Sequence, residues 1–417
     1  MRNRMASFAG LAVTVMSIFW GRASAAAQQP AGQVVKLGEG ETLTISGFVS
    51  ATLFMDRSKF AAFGQGQNAE YAAQVEDTTD KTFLDGDVRN TRIRFEFAGS
   101  PVLGKWSPRA VLESDFFGAF NGVPPFGDEQ PQLRIRFAYA DLTNGRTTVR
   151  VGQFWSPLFG ETPVSLSHLA FPIGYGASGK VGWRFPGIFL FHDLTAGKPV
   201  VVQLQLAAFE GSGPATAAAG DTAATRQIGQ GEASGLPQLE ALLSFSKRSP
   251  KLSWSAYVAG HVDWKDTSGT NRPGNNLTGV AFEAGGNIVP GKASLRGNFY
   301  YGKAIGQQFG HITQFAQGNG NIRGYGAWGQ VGYDFTPHWG LFLYYGIDDP
   351  DEDRFAQDNG GAALARVQNQ DAAALVRFRA GRYALGLEWL RAMTQWGSVP
   401  AGRTDADQVA LSVLYTL

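Results

Sequence analysis

Six arginines and three carboxylates recur at alternate positions in four neighbouring stretches of this chain. They are Arg92 and Arg94 with Glu96, Arg109 with Glu113 and Asp115, Arg134 with Arg136, and Arg150. A guanidinium stays protonated and is less strongly hydrated than an ammonium, so a wall of arginines attracts anions without titrating. Rings of basic side chains favour anionic solutes in this way wherever a pore is lined by them. The competing role for each arginine is to pair with a neighbouring carboxylate and stiffen the wall. Six cations against three anions leave a positive excess under either role.

The spacing of these residues names the element that carries them. Thr91, Ile93, Phe95 and Phe97 share one face of a stretch whose other face holds Arg92, Arg94 and Glu96. Such a period of two is a strand. The two faces cannot both lie in a dry core, because buried unpaired charges are too costly. A strand that turns its charges to a water-filled lumen and its aromatics to lipid satisfies both faces, as in transmembrane β-barrels. Adjacent strands lie under about 5 Å apart, so the arginines form a lateral ladder on one wall.

The same pattern returns from Leu43 to Leu417, with breaks that alternate between long and short. Sixteen strands result, joined by short turns at residues 99–104, at Asn144-Gly145, at Arg248-Ser249-Pro250, at Val289-Pro290-Gly291, at Thr336-Pro337 and at Gly381. Asn-Gly is a two-residue hairpin turn that matches strand twist. An even count with long loops at one end is how outer-membrane barrels close, with short periplasmic turns and longer extracellular loops. Trp106, Trp254, Trp339, Tyr383 and Tyr415 lie near short turns, and Trp264, Tyr301, Tyr345 and Trp389 near long loops. Two such belts match the two membrane interfaces. The fold expected is therefore all-β, a 16-stranded antiparallel transmembrane β-barrel.

Composition agrees. Glycine at 54 of 417 residues and aromatics at 12% are unlike a helical protein, and no apolar run reaches the length of a membrane helix. Arg2 and Arg4, a short apolar stretch and Ala23-Ser24-Ala25 read as a secretory signal, residues 1–25, cleaved after Ala25. Its removal takes Arg2, Arg4 and Arg22 and leaves the mature chain close to neutral, so no strong field points to nucleic acid. Residues 26–42 read as a short periplasmic lead-in and residues 43–417 as one barrel domain. Cysteine is absent, which removes thiol chemistry and Cys-ligated metals.

Residues 155–179 stand apart from the other long connections. Pro157, Leu158, Phe159, Leu166, Leu169, Phe171 and Ile173 make them too apolar for a solvated loop. Folded into the lumen, this segment would pack its apolar side on the wall and turn Glu161, Ser165, Ser167 and His168 to a constriction. A lid at the mouth and a subunit contact are the alternatives.

Several runs resemble DcaP-like outer-membrane porins. They are Arg89-Asn90-Thr91-Arg92-Ile93-Arg94-Phe95, Glu113-Ser114-Asp115-Phe116-Phe117-Gly118, Leu133-Arg134-Ile135-Arg136-Phe137-Ala138-Tyr139-Ala140 and Val151-Gly152-Gln153-Phe154-Trp155-Ser156-Pro157. The resemblance covers roughly residues 89–186 and is architectural beyond. It implies a homotrimeric channel in the outer membrane of a Gram-negative bacterium, in contact with its lipid. The channel would pass small anionic solutes, dicarboxylates among them, with Arg92, Arg94, Arg134 and Arg136 on the pore wall. Two features depart from the family: the lead-in is too short for the helical extension of some members, and Tyr415-Thr416-Leu417 replaces a final phenylalanine.

Two other classes compete with a channel. A barrel with a plugged lumen would bind or adhere through its loops. An outer-membrane hydrolase would need a serine, histidine and acid in line. Of the five histidines, His168, His192, His261, His311 and His338, only His261 lies inward beside an acid, Asp263, and no G-x-S-x-G element accompanies it. No cluster has metal-ligand spacing and no glycine run reads as a phosphate loop, so neither metal nor cofactor is expected.

Overall fold

The computed structural model describes residues 32–58, 60, 68–74, 82–118, 131–213, 228–267, 276–310, 322–351, 366–397 and 402–417. The proposed signal, residues 1–25, and His311 lie outside the described residues.

Strands form wherever the sequence alternates. The first is β1 (Gln33–Gly38), within the stretch read as a lead-in, and it turns back into β2 (Glu41–Arg57). Then come β3 (Thr82–Asp87), β4 (Arg92–Ala98), β5 (Ser107–Asp115) and β6 (Arg134–Asn144). Next are β7 (Thr147–Trp155), β8 (Arg184–Asp193), β9 (Val200–Phe209) and β10 (Gln238–Lys247). The remainder of the wall is β11 (Leu252–Asp266), β12 (Asn276–Pro290), β13 (Ala293–Lys303) and β14 (Arg323–Asp334). It ends with β15 (Trp339–Pro350), β16 (Arg366–Ala380), β17 (Tyr383–Trp396) and β18 (Arg403–Thr416).

Every neighbouring pair is antiparallel, and β18 pairs with β2 to close the sheet. The wall has sixteen positions, as the sequence led us to expect. The two surplus strands are accounted for by β2. Its residues 42–48 pair with β4 and its residues 52–57 with β3, so β3 and β4 are one wall strand interrupted at residues 88–91. β1 takes the other edge of β2, at Glu41–Ile45, just beyond the point where Leu417 N donates to Gly47 O at 3.0 Å.

Short turns follow from glycine. β6–β7, β12–β13 and β16–β17 are joined by Gly145-Arg146, Gly291-Lys292 and Gly381-Arg382, with glycine φ of 56°, 64° and 59°. A positive φ at that position suits the mirror-image turns that twist with the strands. The first of these lies one residue later than Asn144-Gly145, since Asn144 still pairs with Thr147.

The outer face exposes Leu53, Leu295, Val331, Leu387 and Leu411, as lipid contact requires. At its lower rim the rings of Tyr383 and Tyr415 lie 4.8 Å apart. The buried apolar clusters are inside the barrel. The largest joins Phe137, Tyr139, Phe154, Phe189 and Phe191 of the β6–β8 wall to Trp155, Phe159, Phe171 and Tyr175 of the long connection between β7 and β8.

Candidate functional site

The arginines identified from the sequence do stand side by side on the inner wall of β4 to β7, each against a carboxylate. Arg94 Nη1 lies 3.2 Å from Glu113, and its Nη2 3.2 Å from Glu96. Arg134 Nη2 meets Asp115 at 2.7 Å, and Arg136 reaches Glu113 at 2.9 Å and Asp115 at 2.8 Å. Arg92 sits 3.7 Å from Glu113 and donates to Leu169 O at 2.9 Å.

The wall holds a fourth acid that alternation hides. Asp141 accepts from Arg109 at 2.6 Å and from Arg150 at 2.7 Å. Counting by twos from Arg136 turns Asp141 to the lipid side. The register instead slips: Glu113 pairs with Phe137 and Ser114 with Ile135, which leaves Arg136 as an extra residue. Such a bulge sets two successive side chains on one face and reverses parity beyond it. Arg136 and Phe137 are both buried inside, and Asp141 follows inward. Four acids therefore face the six arginines, and the excess of positive charge is smaller than the sequence suggested.

Residues 155–183 lie within the lumen and run along its wall. Leu158 N donates to Glu240 of β10 at 2.8 Å, Glu161 meets Arg296 of β13 at 3.3 Å, and Val164 N donates to Gln330 of β14 at 2.7 Å. Ser165 and Ser167 then bond Glu388 of β17, and Asn90 Nδ2 donates to Ser167 O at 2.6 Å. The segment returns past Gly179, whose O accepts from Asn298 of β13 at 2.9 Å. At φ 92°, Gly179 lies so close to the Ala327 backbone that a Cβ would come within 2.5 Å of it.

This placement corrects one expectation. Glu161, Ser165, Ser167 and His168 are buried and turned to the wall, not to an opening. Buried backbone and hydroxyl groups need partners, and the polar lumen wall supplies them. Two further segments dip in beside them. Glu70 accepts from Gly174 N at 2.8 Å, Tyr71 OH donates to Gly176 O, and Ala72 N donates to Thr394 Oγ1 at 2.9 Å. Phe309, at the end of the turn Gly306–Gln308, stacks on Tyr175 at 4.7 Å and Trp183 at 4.8 Å. Nothing in the sequence around Tyr71 or Phe309 signals this descent.

Part of the arginine row stays open to water. The side chains of Arg92, Arg94, Arg109 and Arg134 retain 14, 17, 20 and 17% exposure. Elsewhere on the inner wall Glu240, Glu283, Asp371 and Glu388 have 4% or less. Arg134 also lies over the rings of Phe117 and Phe171, at 5.4 and 4.8 Å. Deeper in, Lys180 Nζ sits 3.7 Å over Phe159, and Arg184 lies between Trp155 and Trp183 at 4.6 and 4.5 Å. Burial pushes the Lys180 amine down to about 7, against the pull of Glu283 and Glu161.

Among the described residues the histidines form no hydrolytic line. Ser167 Oγ lies 2.7 Å from both His168 Nδ1 and Glu388, so the acid holds the serine, and His168 Nε2 faces Ala69 O at 3.2 Å. His261 is paired with Glu240 at 2.8 Å, His192 with Thr147 and His338 with Arg379 O. No group of three or more possible metal ligands occurs among the described residues.

A closed sixteen-stranded barrel with lipid-facing apolar bands and a segment inserted after the β7 wall strand has the architecture of outer-membrane porins. Among solved structures, the outer-membrane channel DcaP of Acinetobacter baumannii is similar over 93% of this chain and 100% of its own, with a TM-score of 0.68 and 20% identity. An anion-selective porin from Comamonas acidovorans matches over 90% and 100%, with a TM-score of 0.56 and 12% identity. OmpT of Vibrio cholerae, in its trimer form, matches over 91% and 100%, with a TM-score of 0.52 and 11% identity. These likenesses bear out, in fold, the resemblance to DcaP-like porins. No protein-family model and no curated protein sequence matches this chain.

Proposed function

We propose that this chain is a DcaP-like porin of the Gram-negative outer membrane, passing small hydrophilic and preferentially anionic solutes, dicarboxylates among them, by passive diffusion. The observation that carries this reading is the partial exposure of Arg92, Arg94, Arg109 and Arg134, while Glu240, Glu283, Asp371 and Glu388 elsewhere on the inner wall are covered. Six arginines against Glu96, Glu113, Asp115 and Asp141 leave that side positive. At physiological salt the Debye length is about 8 Å, so an ion confined beside the wall feels its potential. The anion-selective Comamonas porin and the DcaP channel share the fold and support the assignment. Export by the signal at residues 1–25 is part of the same reading, as is the absence of enzymatic activity. A homotrimer is proposed from the family resemblance, with the exposed Ala51 on β2 small enough for a neighbour to approach, and from the trimer form of OmpT. Gly47, also read as outward, is instead buried against the Arg92 backbone.

Planar-bilayer recordings under a salt gradient test this. A reversal potential on the anion side supports it, and cation selectivity would sink it. No conductance at all would favour the plugged barrel, for which the three segments folded into the lumen are the motivating observation.

A further inference from the structure

We infer that Glu388 is the positioning residue that fixes the lumenal segment beside the arginine-lined water path. This rests on the channel reading above. Glu388 is inward on β17, between outward Leu387 and Trp389. Its Oε2 accepts four hydrogen bonds from three successive residues: Ser165 Oγ at 2.8 Å, Leu166 N at 3.2 Å, Ser167 N at 3.1 Å and Ser167 Oγ at 2.7 Å. His168 N closes the turn on Ser165 Oγ at 2.8 Å. Several donors converging on one carboxylate oxygen hold it more firmly than a single neutral hydrogen bond would, and here they are sealed from water.

The position of this contact along the segment gives it leverage. Residues 158–164 are held by β10 to β14 on one side. Leu169 and Ala170 are held by the arginine wall on the other, through Arg92 and through Asn90, whose Oδ1 accepts from Ala170 N at 2.9 Å. Glu388 fixes the three residues between them. Phe171, next along, lies against Arg134 at the edge of the water path. Loss of the tether leaves residues 165–167 held to the wall only where Asn90 donates to Ser167 O, and loosens this edge with them.

The chain has no cysteine, so Val164→Cys supplies a single probe at a fully buried site that reports loop position whether or not current flows. In this background Glu388→Ala should raise the thiol-labelling rate at least tenfold and roughly double open-channel current noise in bilayers. Glu388→Gln, whose amide oxygen still accepts from the two hydroxyls and the two backbone amides alike, should stay near wild type in both. Unchanged labelling in folded Glu388→Ala barrels overturns the inference. Should that variant not fold, Ser165→Ala with Ser167→Ala removes the hydroxyl donors and leaves the wall intact, and unchanged labelling there overturns it equally. Faster labelling in a protein that never conducts supports the tether and refutes the channel.

Discussion

Arg150 and Asp141 face each other across β7 and β6 as a bidentate pair, at 2.7 and 2.9 Å, beneath the rings of Tyr139, Phe154 and Phe191. Both are almost fully buried. Breaking such a pair strands an uncompensated charge and costs about 3–5 kcal/mol, whereas an apolar pair of similar volume is often neutral. Asp141→Ala should therefore lower the urea midpoint of the barrel strongly. Arg150→Met combined with Asp141→Leu should recover much of that loss. A double variant as weak as the single one would show that the rings, not the ion pair, need the charge.

Arg134 and Arg136 should separate into two roles. Arg134 is open to water, so Arg134→Ser should move the reversal potential toward cations, most at low salt, where the Debye length reaches about 30 Å at 0.01 M. Arg136 is buried between Glu113 and Asp115, so Arg136→Ser should cost stability as well as charge. A selectivity change confined to Arg136→Ser would reverse this assignment.

Leu411 lies midway along β18 and points outward, 51% exposed. An arginine there should cost about 2–4 kcal/mol near the bilayer midplane. Heat-modified gel mobility in reconstituted bilayers measures it, and an unperturbed barrel would place this face against protein rather than lipid.

Lys180 should give loop docking a pH dependence. Its amine titrates near 7 in the folded protein against an ordinary 10.5. Between those values the unfolded chain binds the extra proton, so stability rises with pH over that interval. Relative to Lys180→Met, the wild type should gain thermal stability from pH 7 to pH 9. Parallel pH curves for the two proteins would refute it.

Strand existence, the short turns and the arginine wall were legible because alternation and glycine turns are local signals. Asp141 was not, because a bulge adds one residue and inverts the pattern beyond it without a mark of its own. One clue was available: strict alternation would have put a carboxylate into lipid. The inward turn of residues 155–179 was legible from their apolar content. The direction of Glu161, Ser165, Ser167 and His168 was not, since it depends on Arg296 and Glu388, strands away in sequence. β1 escaped notice because six exposed residues against one edge carry no buried face to pattern them. Glu388 was not legible as an anchor, because the serines that bond it lie 223 and 221 residues away in sequence.

The lumenal segment also constrains the order in which the molecule can form. Ser167 and its anchor Glu388 are 221 residues apart, and Val164 and Gln330 are separated by 166. Contacts this distant require prior closure of the chain between them, which slows their formation. The wall as far as β17 must be in place before residues 165–167 can reach Glu388. Until then Leu158, Phe159, Leu166 and Ile173, fully or nearly buried at the end, lie uncovered. The barrel should consequently mature in two phases, sheet closure and then filling of the lumen. The interval between them is when the protein is most open to aggregation and to proteolysis within this segment.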